Sequence, residues 1–173
     1  MTTKYKAKLV YYSPNKDKQL TKNEILAYKS YGINSGFADA IKFDYYHEYK
    51  VYLTLRNSYI ISEVIPHPKI EILSKKDNLA CFPTGKRWAV DFIARGHHKE
   101  TLMLVEAKGV ITQEFPFVLA MLEKYHRELF GKLWLVFPNR IPKCYLIQNL
   151  LRRQNQPNMP RIVTLKQFQG LIG

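Results

Sequence analysis

Cysteine is nearly absent: the 173 residues contain two, Cys81 and Cys144, and neither stands in a paired motif. This excludes a disulfide framework and the Cys/His spacings of a structural zinc site. Long apolar runs are missing too. Leu9-Val10-Tyr11-Tyr12 near the N-terminus is far shorter than the roughly 7–15 residues of a signal-peptide core. No run reaches the about 20 residues of a membrane span. A cytoplasmic protein with no signal peptide and no membrane partner is therefore expected. No internal repeat, low-complexity tract or linker breaks the chain, so one domain over residues 1–173 is expected.

Acidic residues are scarce, with 14 Asp and Glu against 27 Lys and Arg, for a formal charge of +13. The deficit is confined to the two ends. Residues 1–31 carry seven basic side chains against two acidic, residues 124–173 carry nine against one, and residues 32–123 hold eleven of each. The expected layout is a basic N-terminal arm over about residues 1–31, a neutral centre, and a basic C-terminal αβα extension over about residues 138–173. Basic flanks release counterions from phosphates while a neutral centre can hold local carboxylates, so nucleic acid is the expected partner. The plainer reading is a basic surface that keeps the protein soluble.

What is present reads as a mixed α/β chain. Residues 4–12 suit an extended arm or edge strand. Thr21 and Glu24 have the spacing of a capping box, opening a helix that ends near Gly32, and residues 32–36 read as a loop. Residues 44–57 repeat apolar side chains at helical intervals, with Asp44 as the N-cap. Residues 60–73, interrupted by Pro66 and Pro68, predict one strand that bends or lies at an edge. Residues 88–93 and 101–107 are apolar runs of strand length around a turn at residues 95–99, a hairpin. Then follow a helix with Phe115, Val118, Leu119, Leu122, Tyr125 and Leu129 on one face up to Gly131, and a buried strand over 133–137. A helix over 142–153, a short strand over 161–164 and a last helix capped by Thr164 and Gln167 complete the chain. The order implies an α/β or α+β sandwich around a mixed sheet flanked by helices.

Both hairpin strands hold a carboxylate inside an apolar run. Asp91 lies between Val90 and Phe92, and Glu106 follows Leu104 and Val105. Side chains alternate along a strand, so Glu106 and Lys108 share a face. A turn near residues 96–99 can fold Asp91 beside them, and three charges then converge. Hydrolysis of a phosphodiester calls for a neutralised phosphate and a positioned water. A hard cation such as Mg2+ or Mn2+ supplies both and prefers oxygen ligands. Asp91 and Glu106 suit that task, with the Ala107 carbonyl as a third ligand and Lys108 orienting the water or stabilising developing charge. The alternative is an ordinary salt bridge between strand neighbours, since Glu-x-Lys alone is common.

Ala89-Val90-Asp91-Phe92 and Val105-Glu106-Ala107-Lys108-Gly109 resemble the signature of the PD-(D/E)XK nuclease superfamily, with Val90 where that family frequently has Pro. Lys42-Phe43-Asp44 followed by Glu48, and Thr112-Gln113-Glu114-Phe115 after Lys108-Gly109, resemble its small phage-type endonucleases and Holliday-junction resolvases. The likeness covers about residues 32–137. It implies a restriction-endonuclease-like fold and a metal-dependent endodeoxyribonuclease of a bacterial or phage-infected cell, with branched DNA among its substrates. It further implies that Glu48 joins the metal site, that Lys42 lies on the DNA side, and that the protein is a homodimer. A non-catalytic DNA-binding module with the same fold, and an endonuclease subunit of a transposition complex, remain the alternatives.

Lys86, Arg87 and Arg95 flank the first strand and can hold a phosphate backbone; the equal alternative is charge that guards an apolar strand. Glu114 suits either a site role or the dipole of a helix start. His47, His67, His97, His98 and His126 show no zinc-ligand spacing and read as surface or capping residues, with a DNA contact conceivable for His97 and His98. Tyr45, Tyr46, Tyr49 and Tyr52 surround Glu48 in sequence, and helical spacing favours core packing over base stacking.

Overall fold

The structure is a computed structural model that describes residues 9–77 and 80–173, a mixed α/β arrangement in two units, Met1–Lys50 and Val51–Gly173. In the first unit, β1 (Val10–Ser13) pairs antiparallel with β2 (Lys18–Gln19) on one side and β3 (Ile41–Phe43) on the other. The arm or edge strand predicted over residues 4–12 is thus corrected in its described part. Val10, Tyr11 and Tyr12 are all buried, as suits the middle strand of three, and residues 1–8 lie outside the described residues. β3 corresponds to no pattern in the sequence.

Helix α1 (Lys22–Tyr31) starts where the capping box places it. The Glu24 carboxylate accepts the Thr21 N–H at 2.9 Å, and the Thr21 hydroxyl oxygen accepts the Glu24 N–H at 3.4 Å. The helix ends at Gly32, whose φ of 54° is unstrained only without a Cβ. The next residues are a 3₁₀ turn, Gly32–Ser35, where a loop is predicted. Tyr11, Leu20 and Phe37 form this unit's core, with Ile25, Tyr28 and Ala40 packed against them.

Helix α2 (Tyr46–Arg56) is one unbroken helix whose last turns, with Val51, Tyr52 and Leu55 buried, belong to the second unit. It begins two residues after the predicted N-cap. Asp44 is itself the capped residue: its N–H donates to the Glu48 carboxylate at 3.0 Å, while its side chain pairs with Lys42 at 2.7 Å.

The second unit corrects two strand predictions together. Residues 60–73 form two strands, β4 (Glu63–Pro66) and β5 (Lys69–Leu73), and residues 88–93 are likewise divided between β6 (Lys86–Ala89) and β7 (Phe92–Arg95). β5 and β6 pair as a two-stranded ribbon, whereas β4 and β7 belong to a five-stranded sheet with β8 (Thr101–Ala107). The cause lies at His67, between two prolines and at φ 51°, where the chain leaves one sheet for the other. The predicted hairpin survives as β7 and β8, with Phe92 opposite Val105.

Beyond β8 come α3 (Phe115–Tyr125), α4 (Arg127–Gly131), β9 (Leu133–Phe137), α5 (Tyr145–Arg152), β10 (Arg161–Thr164) and α6 (Leu165–Ile172). The single helix predicted to Gly131 is broken at His126, whose backbone leaves helical geometry at φ −135° and ψ 53°. The helix predicted from residue 142 starts at Tyr145. The sheet order is β10-β9-β8-β7-β4, with β8, β9 and β10 parallel and β7 and β4 antiparallel to their neighbours. β9 is buried at every position, as its unbroken apolar run requires. Phe115, Val118, Leu119 and Leu122 from α3 and Ile147 and Leu150 from α5 pack with Leu104, Leu133 and Leu135 of the sheet. Thr164 and Gln167 close the expected reciprocal cap on α6.

Candidate functional site

Two chain crossings, one through His67-Pro68 and one through Val90-Asp91, run side by side from the large sheet to the ribbon. They are tied to each other. The His67 N–H donates to the Asp91 carbonyl at 2.8 Å, and the Val90 N–H donates to the Pro68 carbonyl at 3.2 Å. Val90 and Phe92 are fully buried on either side of half-buried Asp91, so the apolar neighbours fix the backbone and the carboxylate is left at the junction.

Asp91 sits one residue before β7, across from Glu106 near the end of β8. The Asp91 Oδ2 accepts the Ala107 N–H at 2.7 Å, and the Glu106 Oε2 accepts the Asp91 N–H at 3.3 Å. Glu106 is 3% exposed, rare for a carboxylate unless it is paired. Its partner is Lys108, two residues along the chain, with Nζ 2.5 Å from Oε1. Lys108 Nζ also lies 4.5 Å from the centre of the Phe115 ring, at the start of α3. Burial pushes the Glu106 carboxyl up to about 7, and the neighbouring Asp91 charge pushes the same way against the pull of Lys108. The structure thus brings together Asp91, Glu106 and Lys108.

One further group of the same unit stands beside Asp91. An imidazole nitrogen of His67 and a carboxylate oxygen of Asp91 lie within 4.8 Å of each other. The Asp91 carboxylate thus has an imidazole nitrogen close by, as well as the buried Glu106, whose own oxygens face Lys108 and the Asp91 N–H. A cation would suit this place, since Asp91 and the buried Glu106 bonded to its N–H are like-charged neighbours whose repulsion it would relieve. Glu48 belongs to the first unit, in the first turn of α2, where it is 4% exposed and accepts the Asp44 N–H.

His67 is not separable from the other histidines by spacing. A signal does exist in the sequence: a histidine bracketed by Pro66 and Pro68 inside a β-branched run. Two other histidines are engaged elsewhere. The His97 ring meets the Tyr59 carbonyl at 3.1 Å on the hairpin turn, and the His126 ring meets the Ile72 carbonyl at 3.2 Å.

The flanking basic residues are dispersed. Arg95 lies at the far end of β7 from Asp91, roughly 13 Å along the strand at about 3.3 Å per residue, and pairs with Glu63 at 3.1 Å. Lys86 Nζ lies 3.6 Å from the Glu114 carboxylate, so Glu114 is engaged at the start of α3 and not in the carboxylate cluster. Arg87 is exposed on β6, and Lys42 on β3 is held by Asp44, which raises its pKa. Tyr49 and Tyr52 pack against Tyr12 and Phe92 respectively, as the helical spacing predicts, while Tyr45 and Tyr46 are exposed. No helix among the described residues is long and apolar enough to cross a membrane.

No family model, curated protein or solved structure matches the chain.

Proposed function

We propose that this chain is a metal-dependent endodeoxyribonuclease of the PD-(D/E)XK type, acting on branched or duplex DNA with Mg2+ or Mn2+. The observation that carries the reading is the convergence of Asp91, Glu106 and Lys108 at paired strand ends, each tied to the next by a hydrogen bond or ion pair. Asp91 and Glu106 would hold the cation, with the Ala107 carbonyl as a further oxygen at the same strand end. When bound, such a cation neutralises the substrate phosphate and makes water a better nucleophile.

The protein's own groups do the rest. Lys108 balances Glu106 and keeps an ammonium at the strand end where an attacking water would be oriented and negative charge would develop. The Ala107 N–H fixes one oxygen of Asp91, holding its orientation before substrate arrives. The basic ends, +5 and +8 by formal count, supply phosphate contacts without reading sequence. The same reading carries action in the cytoplasm of a bacterial or phage-infected cell, and a homodimer that cuts two strands.

The test is a cleavage panel of four-way junctions, flaps, plain duplex and single strands, with and without Mg2+ or Mn2+. Metal-dependent nicking of at least one substrate, lost in Asp91→Ala, is expected. DNA bound yet intact under every condition would leave a non-catalytic binding module in its place, and cutting that begins only when a partner protein is added would single out a transposition subunit.

A further inference from the structure

Carboxylates carry the proposed nuclease site, but a nitrogen donor stands beside Asp91 as well. We infer that His67 is a ligand of the bound cation and biases the site toward Mn2+ over Mg2+, an inference that rests on the metal-site reading above.

Three observations support it. First, an imidazole nitrogen of His67 and a carboxylate oxygen of Asp91 lie within 4.8 Å of each other. Ligands about 2.1 Å from one ion are separated by about 3.0 Å when adjacent and about 4.2 Å when opposite, so shifts of a few tenths of an ångström to about 2 Å bring both onto one ion. Second, His67 does not reach Asp91 by accident of rotamer. Its backbone is held at φ 51° and its N–H is bonded to the Asp91 carbonyl at 2.8 Å, so the two residues are coupled at the main chain. Third, the paired crossing continues through the Val90 N–H to the Pro68 carbonyl at 3.2 Å, which fixes the residue after His67 against the residue before Asp91.

The chemical consequence follows from ligand preference. Mg2+ takes oxygen donors and gives up its waters reluctantly; Mn2+ also favours oxygen donors but, as a first-row transition ion, accepts an imidazole nitrogen among them more readily than Mg2+ does. A site of oxygen donors alone would show little reason to prefer Mn2+. One with His67 in the shell gains a donor that Mn2+ can use and Mg2+ uses poorly.

The experiment measures binding and not turnover. The purified full chain is titrated with MnCl2 and with MgCl2 by calorimetry, and Mn2+ binding is checked by its electron-spin resonance. The parent is expected to bind Mn2+ at least tenfold more tightly than Mg2+. His67→Ala should weaken Mn2+ at least tenfold and change Mg2+ by less than about threefold, in the range of ligand-shell losses. His67→Asn tolerates the left-handed backbone and offers an oxygen, so it serves if the alanine variant fails to fold; its Mn2+ to Mg2+ preference should fall toward unity. Equal Mn2+ binding by parent and both variants, or no preference in the parent, overturns the role of His67 while the carboxylate site stands. Failure of the parent to bind either ion, or undiminished binding in Asp91→Ala, overturns the metal site itself and His67 with it.

Discussion

The Ala107 N–H donates to Asp91 Oδ2 at 2.7 Å, and the Asp91 N–H donates in turn to Glu106 at 3.3 Å. Residues 15 and 16 positions apart in the chain thereby clamp each other across a strand pair. Because the clamp needs an acceptor at Asp91 but not a charge, Asp91→Asn should fold and be at least as stable as the parent without metal, since it also removes a like charge beside Glu106. Asp91→Ala leaves the Ala107 N–H unpartnered and should lose about 1 kcal/mol. Urea unfolding of the three metal-free proteins checks the order; a large loss in Asp91→Asn contradicts the clamp.

Lys108 faces Glu106 at 2.5 Å and lies over the Phe115 ring. Lys108→Met keeps much of the apolar stem and removes the ammonium. Cleavage should fall roughly 10²–10³-fold, the scale of losing one charge-stabilising donor. Cation affinity should hold or rise, because a positive neighbour is gone. Single-turnover cleavage and a Mn2+ titration on the same preparation separate the two effects, and unchanged cleavage would remove Lys108 from the chemistry.

Asp39 contributes to acid stability in the first unit. Desolvation alone would raise its carboxyl, but the Asn15 N–H at 2.7 Å and the Ser13 hydroxyl at 2.8 and 3.0 Å outweigh it and hold the group below its ordinary 3.8. A carboxyl depressed in the folded state stabilises at pH values above its unfolded pKa and loses that contribution as pH falls through the folded value. The parent should therefore lose more stability than Asp39→Asn between about pH 5 and pH 2, with a difference at neutral pH of roughly 1 kcal/mol after screening. Thermal melts across that range test it; parallel curves would contradict the assignment.

DNA affinity should fall steeply with salt, as expected when phosphate contacts dominate. Within the basic C-terminal segment some charge is already engaged, since Arg153 pairs with Glu123 at 2.5 Å and Lys132 with Glu128 at 2.6 Å. Lys143 and Arg152 are exposed. Replacing both with Gln should reduce the slope of log K against log salt by up to about 2, near 0.9 for each phosphate that is no longer neutralised. An unchanged slope would place the DNA on another face.

Local signals are the legible ones. The Thr21–Glu24 and Thr164–Gln167 caps are satisfied within four residues, and β9 is an unbroken apolar run that only a doubly covered strand explains. Glu106 and Lys108 follow from alternation, and Asp91 from a turn of the right length. Partner choice is not legible. Nothing local in residues 88–93 says that Lys86–Ala89 pairs with β5 and Phe92–Arg95 with β8, because that split depends on a second crossing more than twenty residues earlier. His67 is hidden for the same reason: its meaning lies in the Asp91 carbonyl it is bonded to, and not in its neighbours in sequence. β3 escapes because three residues are too few for a period to show.

The most direct measurement is cleavage of a DNA panel by the parent and by Glu106→Gln at saturating Mg2+ and Mn2+. Gln preserves the shape of Glu106 and an oxygen for the Asp91 N–H, so the fold should persist while the buried carboxylate is lost. The parent should cut in a metal-dependent manner, with Glu106→Gln slower by roughly 10²-fold or more. Cutting by the variant at the parental rate would contradict a metal-dependent site built on Asp91, Glu106 and Lys108.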